Sequence, residues 1–277
     1  MSKFLSDHNP ENAFSCWLRW ITLISLFVSF SVYVFVAHPS RVSTAAEPHP
    51  WISDAPPKMA RMIDIGQVKI LEDDIAVKNA QRAAITLYNI HVQFDLRYTQ
   101  TPIRPANAVR RKTSIQVKFT NPKVTLEHEI KLSTNYKPEK PWESRLLLHE
   151  MDHVAISTDP RLIKILKSLL QAPAKLTIDL STNANQDATT ITQAIEDLQQ
   201  ARRVAVQMIV QKYYERLDAQ SNNGLDDIDQ RNEFFMGLYS KEDLESLEFP
   251  YLKEIRVAQA DANLESVANH YLISDSQ

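Results

Sequence analysis

The chain has 277 residues, 44% hydrophobic and 23% charged, and a net charge of −3 from 31 basic and 34 acidic side chains. That composition can bury a core and lacks the basic excess of a nucleic-acid binder. Glycine is confined to Gly66, Gly224 and Gly237, about 1% of the chain against roughly 7% on average, so no GxGxxG or Walker A loop can be written; the lone Cys16 excludes intrachain disulfides, CxxC zinc sites and iron–sulfur ligation.

In chain order, residues 1–13 form a short leader. Residues 14–37 read as a transmembrane anchor: Trp20 to Ala37 is an 18-residue run without a charge, near the lower limit for crossing a bilayer core. Trp17, Trp20 and Tyr33 sit near its ends, where amphipathic rings prefer the interface. A cleaved signal peptide is the alternative, with small residues at Ser43-Thr44-Ala45-Ala46. The apolar run exceeds a signal h-region, and the small residues lie well beyond it. Arg19 at the membrane favours the N-terminus inside. The expectation is a single-pass protein of a bacterial inner membrane, its bulk in the periplasm or exterior.

Residues 38–62 carry Pro39, Pro48, Pro50, Pro56 and Pro57 and read as an extended spacer. The body, 63–230, reads as strands followed by helices. Ile90, Val92, Phe94, Leu96 and Tyr98 alternate with His91, Gln93, Asp95 and Arg97, the pattern of a half-buried strand. Ile115, Val117 and Phe119 mark a second strand, Val124, Leu126, Ile130 and Leu132 a third. Asn121-Pro122 between them reads as the turn of an antiparallel hairpin. His128 falls on the apolar face, either as a core histidine or as the lining of a site beneath the sheet.

A helix is expected from Pro141 to about Ser157, and a second, capped by Asp159, to about Leu170. Leu176, Ile178 and Leu180 suit a short strand. A long helix from about Ala188 to Ala219 should stop at Ser221-Asn222-Asn223-Gly224, whose Asn and Gly accept left-handed backbone. Residues 231–277 read as a charged helical extension. The predicted class is α+β: a transmembrane helix, then a small antiparallel sheet packed on the first helix of the body and further long helices.

That first helix carries His149-Glu150-Met151-Asp152-His153, an HExxH motif. Positions i and i+4 share a helical face, so His149 and His153 can reach one ion, with Glu150 placed as general base toward water. Zn²⁺ is the expected ion, because it activates water near neutral pH and polarises a carbonyl. HExDH is also similar to the peptide deformylase motif, but that family's Gly-Cys segment and Gly-rich first motif are missing here.

The alternating strand at 89–98, the hairpin, the Leu-Leu-Leu-His-Glu-Met-Asp-His helix and the long helix ending at 217–224 together resemble the bacterial family of uncharacterised, predicted secreted zinc-dependent proteases. The resemblance covers roughly residues 83–229 and implies a zincin-like fold acting on a peptide or protein substrate. The family's downstream Tyr-Asp-x-x-Thr-x-His-Gly segment aligns with Leu217, Asp218, Ser221, Asn223 and Gly224. Asn223 therefore stands where the resemblance implies a third histidine ligand. Three outcomes stay open: a carboxylate (Asp218, Asp226 or Asp227) supplies the third ligand in place of Asn223, the site holds metal weakly, or catalysis is lost and the scaffold binds a partner. Tyr213 and Tyr214 are either oxyanion donors or packing residues.

Overall fold

The computed structural model describes residues 49–103, 111–180 and 184–255. The expected leader, the anchor at 14–37 and the first part of the spacer lie outside them. Among the described residues no helix is long and apolar enough to cross a membrane.

The end of the expected spacer is folded. A 3₁₀ turn at Pro50–Asp54 leads into α1 (Pro57–Gly66), whose Met59, Met62 and Ile63 are buried in the core. Spacing of i, i+3, i+4 puts these three on one face. Pro56-Pro57 starts this helix instead of preventing one, since proline at the first helical position gives up no hydrogen bond. The spacer assigned to 38–62 thus extends too far into the body. Next come β1 (Val68–Glu72) and the short helix α2 (Asp74–Ala80), capped by the Asp73 side chain.

The sheet is built on two long strands, β2 (Ala84–Pro102) and β3 (Arg111–Leu132), paired antiparallel along nearly their whole length. The other edge of β3 carries β1, parallel, at its C-terminal end and β4 (Ala174–Leu180), antiparallel, at its N-terminal end. The sheet is therefore mixed, not purely antiparallel as expected. The expected hairpin turn is also corrected. Gln93 pairs with Lys123 and Asp95 with Thr120, so Asn121 and Pro122 together oppose Phe94. This is a bulge inside one strand: Asn121 takes φ 54° and its side-chain amide donates to Asp95 Oδ2 at 2.7 Å. A bulge is one of the few places where a sheet interior accepts proline. The extra residue keeps Ile115, Val117 and Phe119 on the same face as Leu126, His128 and Ile130.

The helices α3 (Arg145–Thr158), α4 (Pro160–Gln171) and α5 (Ala184–Gln220) pack against the sheet. One apolar core joins α1, the sheet, α3, α4 and the C-terminal half of α5; a smaller one joins Ile115, Val117 and Phe119 to Ile191 and Ile195. The segment read as an extension belongs to the main core. Here α6 (Arg231–Gly237), α7 (Lys241–Ser246) and the chain after them bury Phe235, Leu238, Tyr239, Leu244, Phe249 and Ile255. Tyr213 donates to Asp243 Oδ2, and Tyr239 donates to the Ile156 carbonyl at 2.8 Å, which ties this segment to α3 and α5. Residues 256–277 lie outside the described set.

Candidate metal centre

The HExxH helix is α3, entered from a 3₁₀ turn at Pro141–Glu143. It is buried on nearly every side, from Leu147 and from His149 through Thr158. A helix buried all round normally has an apolar sequence, yet this one brings two histidines, two carboxylates, Ser157 and Thr158 inside. Each needs a partner, because an unpaired polar group in a core is costly.

Those partners define the site. His149 Nε2 lies 3.1 Å and His153 Nε2 3.0 Å from the same oxygen, Asp218 Oδ1. Asp218 comes from the last turn of α5, 65 residues beyond His153, and its side chain is 12% exposed. Its other oxygen, Oδ2, accepts from Arg82 Nη1 at 2.7 Å. Burial alone would raise the Asp218 carboxyl; its contacts with His149, His153 and Arg82 outweigh it and hold the group well below the usual carboxylate range.

Ser221 assigns the His149 tautomer. Its hydroxyl donates to the Leu217 carbonyl at 2.9 Å and accepts from Gly224 N–H at 3.1 Å. With its single proton used, Ser221 Oγ meets His149 Nδ1 at 3.2 Å as an acceptor, so the ring proton sits on Nδ1. The lone pair of His149 Nε2 then faces a carboxylate lone pair. That juxtaposition requires positive charge between them, either a second proton or a cation. Ligand atoms about 2.0–2.2 Å from one ion stand roughly 3–3.5 Å apart, and the two separations match. The donor set, two imidazole nitrogens and one carboxylate oxygen, suits a divalent transition metal. The buried group His149, His153 and Asp218 can hold a metal ion, its ligand atoms lying within 4.8 Å of one another. His153 Nδ1 is buried without a hydrogen-bond partner, so this ring is held by packing, with the Tyr214 ring tilted against it at a 4.3 Å centroid distance.

Of the four third-ligand candidates, the fold brings Asp218 to the histidines. Asn223 is exposed, Asp226 accepts from Asn222 Nδ2 at 3.1 Å, and Asp227 pairs with Arg145 at 3.1 Å. The helix stop explains the difference. Asn222, Asn223 and Gly224 take φ values of 50°, 57° and 80°, turning the chain sharply after Asp218. That turn seats Gly224 on the imidazole of His149 and carries Asp226 and Asp227 outward.

Glu150 is 3% exposed, and its Oε2 accepts from Thr86 Oγ1 at 2.6 Å. Thr86 lies on the inner face of β2, so the sheet orients this carboxylate. Asp152, on another face of the helix, is paired with Arg231 of α6. Burial raises the Asp152 carboxyl, while the Arg231 charge opposes that rise. Tyr213 and Tyr214 are packing residues whose hydroxyls donate to Asp243 and to Ser157. His128 is a core histidine: Nδ1 donates to the Gly66 carbonyl at 2.7 Å and Nε2 lies 2.6 Å from Ser157 Oγ.

A cavity of about 360 Å³ opens on α3 between Glu143, Arg145, Asp152, Ser221, Asp227 and Arg231, and His149 forms part of its wall. Sequence reasoning missed Arg82, Thr86 and the bonding role of Ser221. Arg82 and Thr86 carry no motif and act across the fold; Ser221 lies in the downstream segment aligned above, but its contact with His149 is tertiary. Comparison with family models, curated proteins and solved structures gives no match.

Proposed function

We propose that this chain is a membrane-anchored, zincin-like zinc metallopeptidase that hydrolyses peptide bonds with water, its body in the periplasm or exterior. The observation that carries the reading is the meeting of His149 Nε2, His153 Nε2 and Asp218 Oδ1 at one point. Zn²⁺ fits this donor set, and when bound it supplies Lewis-acid polarisation of a carbonyl and lowers the pKa of water. Glu150 sits in the same motif with one oxygen occupied by Thr86. Its other oxygen takes the proton from attacking water and returns it to the leaving amine. The HExxH spacing and the resemblance to predicted secreted zinc-dependent proteases support the peptidase chemistry. The uncharged run from Trp20 to Ala37 supports the anchor.

A second reading, a non-catalytic envelope protein that binds a partner, is favoured by one observation. The wall of the 360 Å³ cavity includes His149 but not Glu150, His153 or Asp218. One experiment separates the two. Full-length protein purified in detergent is analysed for zinc and assayed on an unstructured protein substrate, beside His149→Ala and Glu150→Gln. The peptidase reading expects stoichiometric zinc in the native protein, loss of zinc in His149→Ala, and loss of hydrolysis with zinc retained in Glu150→Gln. Native protein with zinc but no hydrolysis favours the partner-binding reading, and native protein without zinc sinks the metal site.

A further inference from the structure

The carboxylate of Asp218 has two oxygens with different tasks. Oδ1 faces both imidazoles, and Oδ2 is held by Arg82. A carboxylate on the last turn of a helix rotates freely about its terminal torsion unless something holds it. Both tasks are compatible in one orientation, and Arg82 is the described group that selects it from outside the histidine pair.

Arg82 is delivered there by a constructed turn. Asp73 caps α2, accepting from Ala76 N–H at 2.9 Å. At the other end Gln81 takes φ 55°, Gln81 N–H donates to the Lys78 carbonyl at 3.1 Å, and Arg82 N–H donates to the Val77 carbonyl at 3.0 Å. This is the paired bonding of a Schellman stop, with a non-glycine residue in the left-handed position. Val77 anchors α2 in the fold with 4% exposure. The turn therefore fixes where the Arg82 backbone leaves the helix just before β2 begins. The side chain is 39% exposed, and its contact with Asp218 spans 136 residues of sequence. With the Arg82 side chain more than a third exposed, solvent screens its pairing with Asp218 and limits what the pair adds to stability.

We propose that Arg82 is the positioning residue of the metal centre: it clamps Asp218 Oδ2 so that Oδ1 is presented to an ion shared with His149 and His153. This rests on the reading of those three residues as a metal site. Partners behind metal-ligating carboxylates typically change metal affinity by about 10- to 100-fold when removed. A competing effect has the opposite sign. A guanidinium near a divalent cation repels it, so if charge dominated, removing Arg82 would tighten metal binding.

The test is a competition titration of Zn²⁺ against a chromophoric chelator, on full-length protein in detergent, for native, Arg82→Ala, Arg82→Met and Arg82→Lys chains. Clamping predicts that Arg82→Ala and Arg82→Met both bind Zn²⁺ about 10- to 100-fold more weakly. Arg82→Lys, which keeps a charged donor, recovers most of the loss. The metal-free variants should melt within a few degrees of the native chain, a readout that a merely structural arginine would move. Zinc affinity in Arg82→Ala and Arg82→Met that equals or exceeds the native value overturns the clamp while leaving the metal site standing. Equal loss in Arg82→Lys and Arg82→Ala also overturns it. A native chain that takes up no zinc overturns the underlying reading instead.

Discussion

Gly224 lies directly against His149: a Cβ added at Gly224 would stand 2.8 Å from His149 Cγ and 2.9 Å from its Cβ and Cδ2. The same residue has φ 80°, so it combines a left-handed backbone with a contact that leaves no room for a side chain. The end of α5 and the first motif histidine are thereby locked together, which holds Asp218 in reach of both imidazoles. Gly224→Ala is expected to displace His149 and to strain the turn by about 1–3 kcal/mol. Thermal unfolding and zinc titration of this variant should fall together. A lower melting temperature with unchanged zinc affinity would uncouple the turn from the site.

Asp218, not Asn223, is expected to carry the third-ligand role. Asp218→Asn keeps the shape and removes the charge, and should weaken zinc binding by at least about tenfold. Asn223→Gly removes an exposed side chain while keeping the left-handed backbone at φ 57° and should stay within about twofold of native. Equilibrium dialysis with Zn²⁺ checks both, and the reverse order of effects would move the third ligand back to the loop.

Ser221→Ala removes the acceptor that holds the His149 ring proton on Nδ1. Zinc affinity should fall about tenfold, and stability by about 1 kcal/mol from the lost hydrogen bonds. Ser221→Thr keeps the hydroxyl and should restore much of the affinity. Isothermal titration of the three proteins decides, and equal loss in both variants would argue that packing, not the hydroxyl, matters.

His128 makes the fold sensitive to acid. Burial lowers its pKa below the ordinary value, and its bond to the Gly66 carbonyl opposes this only in part. Below about pH 6.5 the unfolded chain takes up a proton that the native chain refuses, so stability falls as pH drops through this range. Urea unfolding of the zinc-free protein at pH 7.5 and 5.5 should show a smaller pH difference for His128→Gln than for native. An unchanged difference would place the acid sensitivity elsewhere.

The bulge predicts an asymmetry between deletions in β3. Removing Asn121 together with Pro122→Thr converts two residues opposite Phe94 into one and leaves both apolar runs on the inner face. Removing Lys118 instead turns Phe119 outward or breaks the register of its neighbours. Circular dichroism and limited proteolysis should find the first chain folded and the second unfolded or degraded.

Much of the body was legible because its signals are local. Alternation at 90–98, the Asp159-Pro160 cap and the Asn-Asn-Gly stop depend on neighbours a few residues apart, and each element stands close to where it was expected. HExxH is legible for the same reason, since four residues of helix place two imidazoles on one face. The break in alternation at Asn121-Pro122 was equally visible but ambiguous: a turn and a bulge both shift parity by one, and the chain pairing on the far side, β2, selects the bulge. Residues 57–66 misled because a proline at a helix start looks like a proline in a spacer until Met59 and Met62 find a core.

The sequence by itself determined which two histidines can share one ion and narrowed the candidate third ligand to four residues within ten. Only the tertiary structure chose Asp218. That choice depends on where the last turn of α5 passes α3, on the left-handed run that seats Gly224 against His149, and on Arg82 reaching Asp218 from 136 residues away. No local pattern encodes such contacts, because they are set by how separate elements pack.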